Sequence, residues 1–269
     1  MDRFVSPLIS LFEGLASRTP TTAQRPQWQE HFDAHRVRGS FVLFEPAKDR
    51  YSVINESRAR QQFLPAATFN LVNALVGLEV GAIDDEHQVF RWDGRPKPLA
   101  AWERDHTLSS GLRDNPVWMF QQVARRIGRE RMSEALERLE YGNNDIGGGV
   151  DHFWLQGALR VSAFEQVDLV RRLADGELPM TQRAQRLVRQ ALAVERRGGL
   201  TLYGITGDSS SVRTAIAWWV GWIERKGRPI AHFAMNYVPS ASSRSHDRFA
   251  IGRAILAEAG LLPSESRPS

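Results

Sequence analysis

TAIAWWVGWIERKGRPIAHFAMNYV, residues 214–238, has the clearest strand pattern in this chain. Its two apolar runs, 214–225 and 229–238, are rich in β-branched and aromatic residues, which favours strands. The Lys226–Gly227–Arg228 segment between them has the composition of a tight turn. A third run of the same kind, LTLYGIT at 200–206, precedes them. The pattern therefore predicts three consecutive strands in the C-terminal part of the chain.

A further hairpin is predicted near the N-terminus. Residues 39–45 (GSFVLFE) have the composition of a strand, Pro46–Asp49 that of a turn, and residues 51–54 that of the partner strand. Helical patterns fill the chain between this hairpin and the C-terminal strands. The sequence therefore predicts an α+β architecture, in which one sheet is made from both ends of the chain.

Apolar residues at helical spacing mark the elements between and after these strands. Residues 68–80 are apolar at so many positions that we expect this helix to be largely buried. Residues 161–175 open with Ser162 and carry Glu165 three positions later, the pattern of a capping box. Residues 18–27, rich in Thr, Pro and Gln, have the composition of a loose connection. Further helices are predicted at residues 117–139, which Gly128 can interrupt, from Thr181 to about Val194, and at 245–260.

The composition limits the partners of the protein. The 269 residues are 42% hydrophobic and 25% charged, as in ordinary soluble domains. The net charge is +4, but arginines mostly alternate with acids, as in residues 125–131, so we expect solvated helix faces and no nucleic-acid partner. No apolar run reaches the roughly 18 residues of a membrane span, so no membrane partner is expected. We expect a monomer or a homodimer.

The residue types that hold metals and cofactors are absent or wrongly spaced. The chain has no cysteine, and its seven histidines show neither His-Glu-x-x-His nor His-x-His spacing. Gly147–Gly149 lacks the Lys-Ser/Thr pair that follows the glycines of a phosphate-binding loop, so we interpret it as a flexible turn. The sequence predicts no metal site and no cofactor.

A set of segments stands in a characteristic order along the chain. They are GSFVLFEPAKDRYSVINESRARQQFLPAATFN, WDGRPKPLAAWERDHTLSSGLRDNPVW, FQQVARRIG, YGN, DIGGGVDHFWLQGALRVSAFEQ, LYGITG and WWVGWIERKGRPIAHFAMN. In this order and spacing they resemble the class D (oxacillinase-type) serine β-lactamases. A single segment such as YGN is weak evidence, but the ordered set across residues 37–263 is strong.

The resemblance implies a fold and a location. The fold is the serine β-lactamase or penicillin-binding transpeptidase type, with an antiparallel sheet of five to seven strands, flanking helices and an all-helical subdomain. The location is the periplasm, but the N-terminal residues are a poor signal peptide, and an unprocessed chain would be cytoplasmic. We expect an N-terminal extension with a first helix at 1–36, a sheet subdomain at 37–60 and 195–263, a helical subdomain at 61–194, and a tail at 264–269.

The family mechanism that the resemblance implies needs four side chains that this sequence lacks. The nucleophilic serine and carbamylated lysine of a Ser-x-x-Lys motif share one helix face and are replaced by Ala67 and Asn70. The relay serine of a Ser-x-Val motif is replaced by Asn115, and the lysine of a Lys-Thr-Gly strand by Ile205. We therefore expect that no catalytic residue is intact. We also expect Ala67 and Asn70 to lie side by side at the floor of the main cleft.

Other features of the implied pocket are retained. Trp154 matches the tryptophan that binds the carbamate, so its indole N–H needs Asn70, water or a carbonyl as a partner. Arg248 matches the carboxylate-binding arginine; it is either a bidentate partner for an anionic ligand or a surface charge on a helix. The predicted substrate-binding residues are Val117, Tyr141, Asn143, Trp154, Leu155, Thr206, Gly207 and Arg248.

Three functions are open at this point. The first is a catalytically inactive homologue that binds β-lactam-like or peptidoglycan-like carboxylates weakly. The second is a working hydrolase that uses another hydroxyl, such as Thr68 or Ser110. One position along a helix turns a side chain by about 100°, however, and the residue three after Thr68 is Leu71, not lysine. The third is an interaction or sensor module, for which Ala67 excludes covalent sensing.

Overall fold

Seven strands form one sheet in the computed structural model, which describes residues 19–209, 215–240 and 247–263. Their order across the sheet is β1-β3-β2-β7-β6-β5-β4, and all neighbours are antiparallel except the parallel pair β1 and β3. This confirms the α+β class and the sheet built from both ends of the chain. The strands are β1 Thr21–Gln24, β2 Arg38–Glu45, β3 Arg50–Ile54, β4 Ala193–Arg197, β5 Leu200–Ser209, β6 Ile216–Arg225 and β7 Arg228–Val238.

Helices fill the chain between the two groups of strands and follow the last one. Short 3-10 turns precede or join several of them, including Ala66–Phe69 directly before α3. Within the described ranges, no helix has the length and apolar character needed to cross a bilayer. The helices are α1 Gln29–Ala34, α2 Glu56–Arg60, α3 Asn70–Glu79, α4 Leu108–Asp114, α5 Val117–Ile127, α6 Arg129–Leu139, α7 Ala163–Asp175, α8 Gln182–Ala191 and α9 Asp247–Glu258.

The sheet separates two hydrophobic cores. Trp218, Val220 and Trp222 of β6 face the larger core, which includes the apolar faces of α3, α5 and α7. Trp219 and Ile223 of the same strand face the smaller core, which α1 and α9 cover. Because neighbouring side chains of a strand point to opposite faces, a strand covered on both sides is apolar almost throughout. This explains the near-continuous apolar run that identified β6.

Several local predictions are confirmed. Gly128, at φ +82°, separates α5 from α6. The Ser162 hydroxyl accepts a hydrogen bond from Glu165 N at 3.2 Å, and the Glu165 carboxylate accepts one from Ser162 N at 2.7 Å, so the capping box is present. Helix α3 is buried at all but its last residue, Glu79.

Two boundary predictions are wrong. Residues 18–27 were expected to be a loose connection, but Thr21–Gln24 pair in parallel with Arg50–Val53. Three of the four side chains of Thr21–Gln24 are polar, so the sequence shows no apolar strand pattern there. Backbone hydrogen bonds to β3 nevertheless hold the segment as a strand. The helix that Thr181 opens ends at Ala191 instead of reaching Val194, because Ala193–Arg197 turns back to pair with β5. Of the predicted final helix, residues 245 and 246 lie outside the described residues.

Candidate active site

Two of the positions that the sequence predicts to be substituted, Asn70 and Asn115, meet beside strand β5. Asn70, the first residue of α3, donates through Nδ2 to Oδ1 of Asn115 at 3.1 Å. Asn115 in turn donates through Nδ2 to the carbonyl oxygen of Thr206 on β5 at 3.2 Å. A chain of two amide side chains therefore joins α3, the end of α4 and β5, and the structure brings together the residues that the sequence singled out.

Asn115 holds this position through its backbone as well as its side chain. It follows the last residue of α4 in the left-handed conformation, with φ 51° and ψ 48°, and its N–H bonds to Gly111 O at 2.8 Å. Asparagine adopts this conformation more readily than most residues with a side chain. One residue thus ends α4 and bridges the two other elements.

Strand β5 packs directly against the turn that carries Ala67. A Cβ on Gly207 would lie 2.7 Å from Thr68 N and 3.0 Å from Ala67 N. A side chain at residue 207 would therefore collide with the backbone of the 3-10 turn. Gly207 sets the distance between the strand and Ala67, which is half-buried.

Several buried polar groups around this point have no hydrogen-bond partner among the described residues. They include Oδ1 of Asn70, Nε1 of Trp154 and both side-chain polar atoms of Asn73. For the indole N–H of Trp154 the sequence left Asn70, water or a carbonyl as partners, and it bonds to neither Asn70 nor a carbonyl among the described residues. The ring packs edge-on against Phe153 at 5.0 Å. Burial raises the pKa of Tyr141 far above its usual value, so its phenol is neutral.

Thr68 is held as a structural hydroxyl. Its Oγ1 donates to Pro65 O at 2.7 Å and accepts a hydrogen bond from Nε2 of Gln166 at 2.8 Å. Gln166, which the sequence analysis did not single out, offers an amide and no basic group. Thr68 is buried, and its proton is committed to a carbonyl, so this geometry does not activate it as a nucleophile.

Ser110 lies beside a base but in an unproductive arrangement. Its Oγ is 3.1 Å from Nδ1 of His106 and accepts a hydrogen bond from Thr107 N at 2.9 Å, as part of the capping box of α4. The nearest carboxylate oxygen, on Asp114, lies 4.0 Å from the same Nδ1. A serine hydrolase triad needs the serine and the carboxylate on opposite ring nitrogens. Burial also lowers the pKa of His106.

A cleft of about 420 Å³ lies beside the outer edge of β5. Ile205 and Thr206 are among its lining residues, and Ala67 and Asn70 are not. Ala67 is half-buried beside β5, and Asn70 is buried and bonded to Asn115, so their place at the floor of the main cleft stays a prediction. The lining residues are Leu112, Arg113, Val194, Leu202, Gly204, Ile205, Thr206, Trp219, Phe249 and Arg253.

Arg248 is a buried ion-pair partner. It is 3% exposed, its Nη1 donates to Trp218 O at 3.1 Å, and its Nη2 pairs with Oδ1 of Asp208. The alternative of a surface charge on the helix is therefore wrong. Sequence reasoning missed Asp208, although it directly follows Thr206–Gly207 and alternation along a strand places it on the face of Thr206.

The remaining predicted residues have mainly structural contacts. Asn143 donates to Ala158 O at 3.0 Å and accepts from Arg160 N at 2.8 Å, which ties its own loop together. Val117 is the first residue of α5, and Leu155 packs against the larger core. Among the described residues, no three His, Asp or Glu side chains are grouped closely enough to hold a metal ion.

Comparison with known proteins gives consistent matches. A family model for the penicillin binding protein transpeptidase domain matches residues 33–257. Beta-lactamase OXA-48 of Klebsiella pneumoniae is 38% identical over 256 residues, which are 95% of this chain and 96% of the relative. The structure of FUS-1 (OXA-85), a class D β-lactamase from Fusobacterium nucleatum subsp. polymorphum, matches with a TM-score of 0.85 at 32% identity, over 89% of this chain and 99% of that one. A class D β-lactamase structure from Nostoc matches with a TM-score of 0.84 at 32% identity, over 88% and 100%.

Proposed function

The chain belongs to the class D β-lactamases of the penicillin-binding transpeptidase family, and we propose that it is a catalytically inactive member of that family. The observation that carries the proposal is the amide chain from Asn70 through Asn115 to Thr206 O. The carboxamides of Asn70 and Asn115 stand where the family resemblance requires a base and a proton relay. They are hydrogen-bonded to each other and to a backbone carbonyl. Neither amide is basic enough to take a proton from a nucleophile.

The lack of a nucleophile supports the same conclusion. Ala67 carries only a methyl group, and the hydroxyls of Thr68 and Ser110 are bound as structural groups. Loss of the nucleophile from a coupled catalytic unit lowers the rate by about 10⁶-fold in a well-studied serine protease. In this proposal the carbamylated lysine that acts as base, the relay serine and the lysine of the Lys-Thr-Gly strand are missing as well. We therefore expect no measurable acylation or turnover.

Reversible binding is the function left for the cleft beside β5. Its mostly apolar lining suits the body of a β-lactam. In this proposal the protein holds β-lactam-like or peptidoglycan-like carboxylates weakly, without a covalent step. The periplasm, which the family resemblance implies, is the compartment in which it would meet them.

The test is incubation with a chromogenic cephalosporin and with a penicillin, followed by intact-mass measurement. We expect an unmodified mass and no colour change above a heat-denatured control. A covalent adduct or turnover above that control would overturn the proposal. The variants Thr68→Val and Ser110→Ala serve as matched probes, because an adduct that one of them abolishes would identify the substitute nucleophile and support the alternative of a working hydrolase.

A non-enzymatic sensor or interaction module is the remaining alternative. Without a nucleophilic serine it would report its ligand by reversible binding alone. A ligand that binds the native state stabilises it by mass action, so thermal unfolding with and without ligand measures that binding.

A further inference from the structure

The ion pair between Asp208 and Arg248 joins the end of β5 to the first turn of α9. Arg248 is buried, whereas the Asp208 side chain is 58% exposed. A buried guanidinium strongly favours a carboxylate partner, since an uncompensated charge in the interior is costly. In this chain the carboxylate comes from the protein itself.

Asp208 follows Thr206, which lines the cleft, by two positions on β5, so the two side chains lie on the same face of the sheet. Strand β4 pairs with β5 only as far as Tyr203. Beyond that point the outward-facing groups of β5 are met by other elements: Gly204 N donates to Leu192 O at 3.0 Å, and Thr206 O accepts from Asn115. Because the backbone N–H and C=O groups of alternate residues in a strand point to the same edge, those of residues 204, 206 and 208 all face the outer edge of β5.

Among the described residues that line the cleft, the two cations each have a carboxylate partner. Arg113 pairs at 3.0 Å with Asp114, which also pairs with Arg104, and Arg253 pairs with Glu195. Ile205 stands where the family resemblance places a lysine. The other cleft-lining side chains are mostly apolar, namely Leu112, Val194, Leu202, Ile205, Trp219 and Phe249.

We infer that Asp208 is an internal counter-ion for Arg248, and that the cleft consequently prefers uncharged molecules with an apolar body over carboxylates. The inference rests on the proposed function and refines it: carboxylates bind the same non-covalent site only weakly because Asp208 opposes them. An incoming carboxylate must either displace Asp208 or lie beside a like charge, and both weaken its binding. An uncharged ligand meets no such opposition.

Benzylpenicillin and its methyl ester form a matched pair of probes, because they differ only in the charged group. Isothermal titration of the full chain at fixed ionic strength measures both. We expect the wild-type protein to bind the ester at least as tightly as the acid. In Asp208→Asn we expect the affinity for the acid to rise about tenfold or more, the usual size of a charge-assisted hydrogen bond, and that for the ester to stay within about twofold.

Two controls separate local from general effects. Asp93→Asn changes the net charge equally, but Asp93 is an exposed partner of Lys97 that does not line the cleft, so the acid should bind as it does to wild type. In the double variant Asp208→Asn with Arg248→Gln, the gain for the acid should disappear. Thermal unfolding of each variant confirms that it is folded before titration.

The inference fails if the wild-type protein prefers the acid, or if Asp208→Asn does not gain affinity for it. The latter result includes the case in which neither protein binds either probe. Intact-mass measurement of the titrated samples detects a covalent penicilloyl adduct. An adduct refutes the proposed inactivity, whereas a reversible preference for the acid refutes only the role of Asp208.

Discussion

Asn70 and Asn115, which are 45 positions apart in the sequence, are joined by a hydrogen bond of 3.1 Å between their side-chain amides. This contact ties the start of α3 to the end of α4, and the second amide hydrogen bond of Asn115 extends the tie to β5. The residues that the sequence predicts to replace the family's reactive groups thus take part in holding the fold together.

Asn115→Ala should therefore destabilise the protein. It removes two hydrogen bonds, leaves the buried Nδ2 of Asn70 without its acceptor and places alanine at φ 51°. We expect the free energy of unfolding to fall by about 2–4 kcal/mol, measured by urea denaturation. Asn115→Gly is the matched control, because glycine accepts this backbone conformation. It should recover the backbone part only, and a full recovery would show that the amide bridge contributes nothing.

Restoring the family residues should lower thermal stability. The combined variant Ala67→Ser, Asn70→Lys, Asn115→Ser and Ile205→Lys places two ammonium groups at positions that are now 1% and 3% exposed. Catalytic groups commonly make the folded state less stable than it could be. We expect the free energy of unfolding to fall by about 2 kcal/mol, which would lower the melting temperature by about 4–8 °C. An unchanged or higher melting temperature by calorimetry would contradict this. We expect the same variant to regain part of the hydrolytic activity.

His232 should make the protein less stable in acid. It is fully buried in β7, neither ring nitrogen has a hydrogen-bond partner among the described residues, and burial lowers its pKa to about 4 from 6.5. Between these two values the unfolded chain binds the proton and the folded chain does not, so stability falls as the pH drops from about 6.5 to about 4. Linkage gives a loss of about 3 kcal/mol across that window.

The variant His232→Phe measures this contribution. The dependence of unfolding free energy on pH should become flatter between about pH 6.5 and 4, and the difference from wild type should be constant below the lower value. His87→Gln is the control, since the His87 side chain is 86% exposed and its replacement should leave the pH profile unchanged. Parallel profiles for wild type and His232→Phe would argue against the prediction.

Gly207→Ala should strain the junction between β5 and the turn at Ala67. The new methyl would lie 2.7 Å from Thr68 N and 2.9 Å from Pro65 O, and both are backbone atoms that cannot move independently. We expect a loss of about 1–3 kcal/mol in urea denaturation, in the range of other overpacked sites. Wild-type stability in this variant would mean that the turn yields without cost.

The elements that the sequence predicted best are those with a strong local pattern. The apolar run of β6 and the Ser162–Glu165 capping box are visible in consecutive residues, and both are present. The ordered segments also predicted the fold correctly. Residues 70, 115 and 206, which belong to three different motifs, are joined by hydrogen bonds in the structure.

What the sequence did not show depends on contacts between distant residues. Thr21–Gln24 form a strand only because β3 offers its edge, and the chain after Ala191 extends because β5 is available for pairing. The partner of Arg248 was missed for the same reason, since Asp208 lies 40 positions away. Gly207 likewise marks a close approach of β5 to another element, but the sequence does not identify the turn at Ala67 as that element.

The two outer strands of the sheet, β1 and β4, also bear on how the protein behaves at high concentration. Exposed strand edges invite other chains to add on, which leads to aggregation. Strand β1 has only four residues, and β4 combines an irregular register after Ala193 with the charged sequence Glu195-Arg196-Arg197. These two edge strands discourage growth of the sheet into fibrils by edge-to-edge pairing, although the inner strand β6 is among the most apolar segments of the chain.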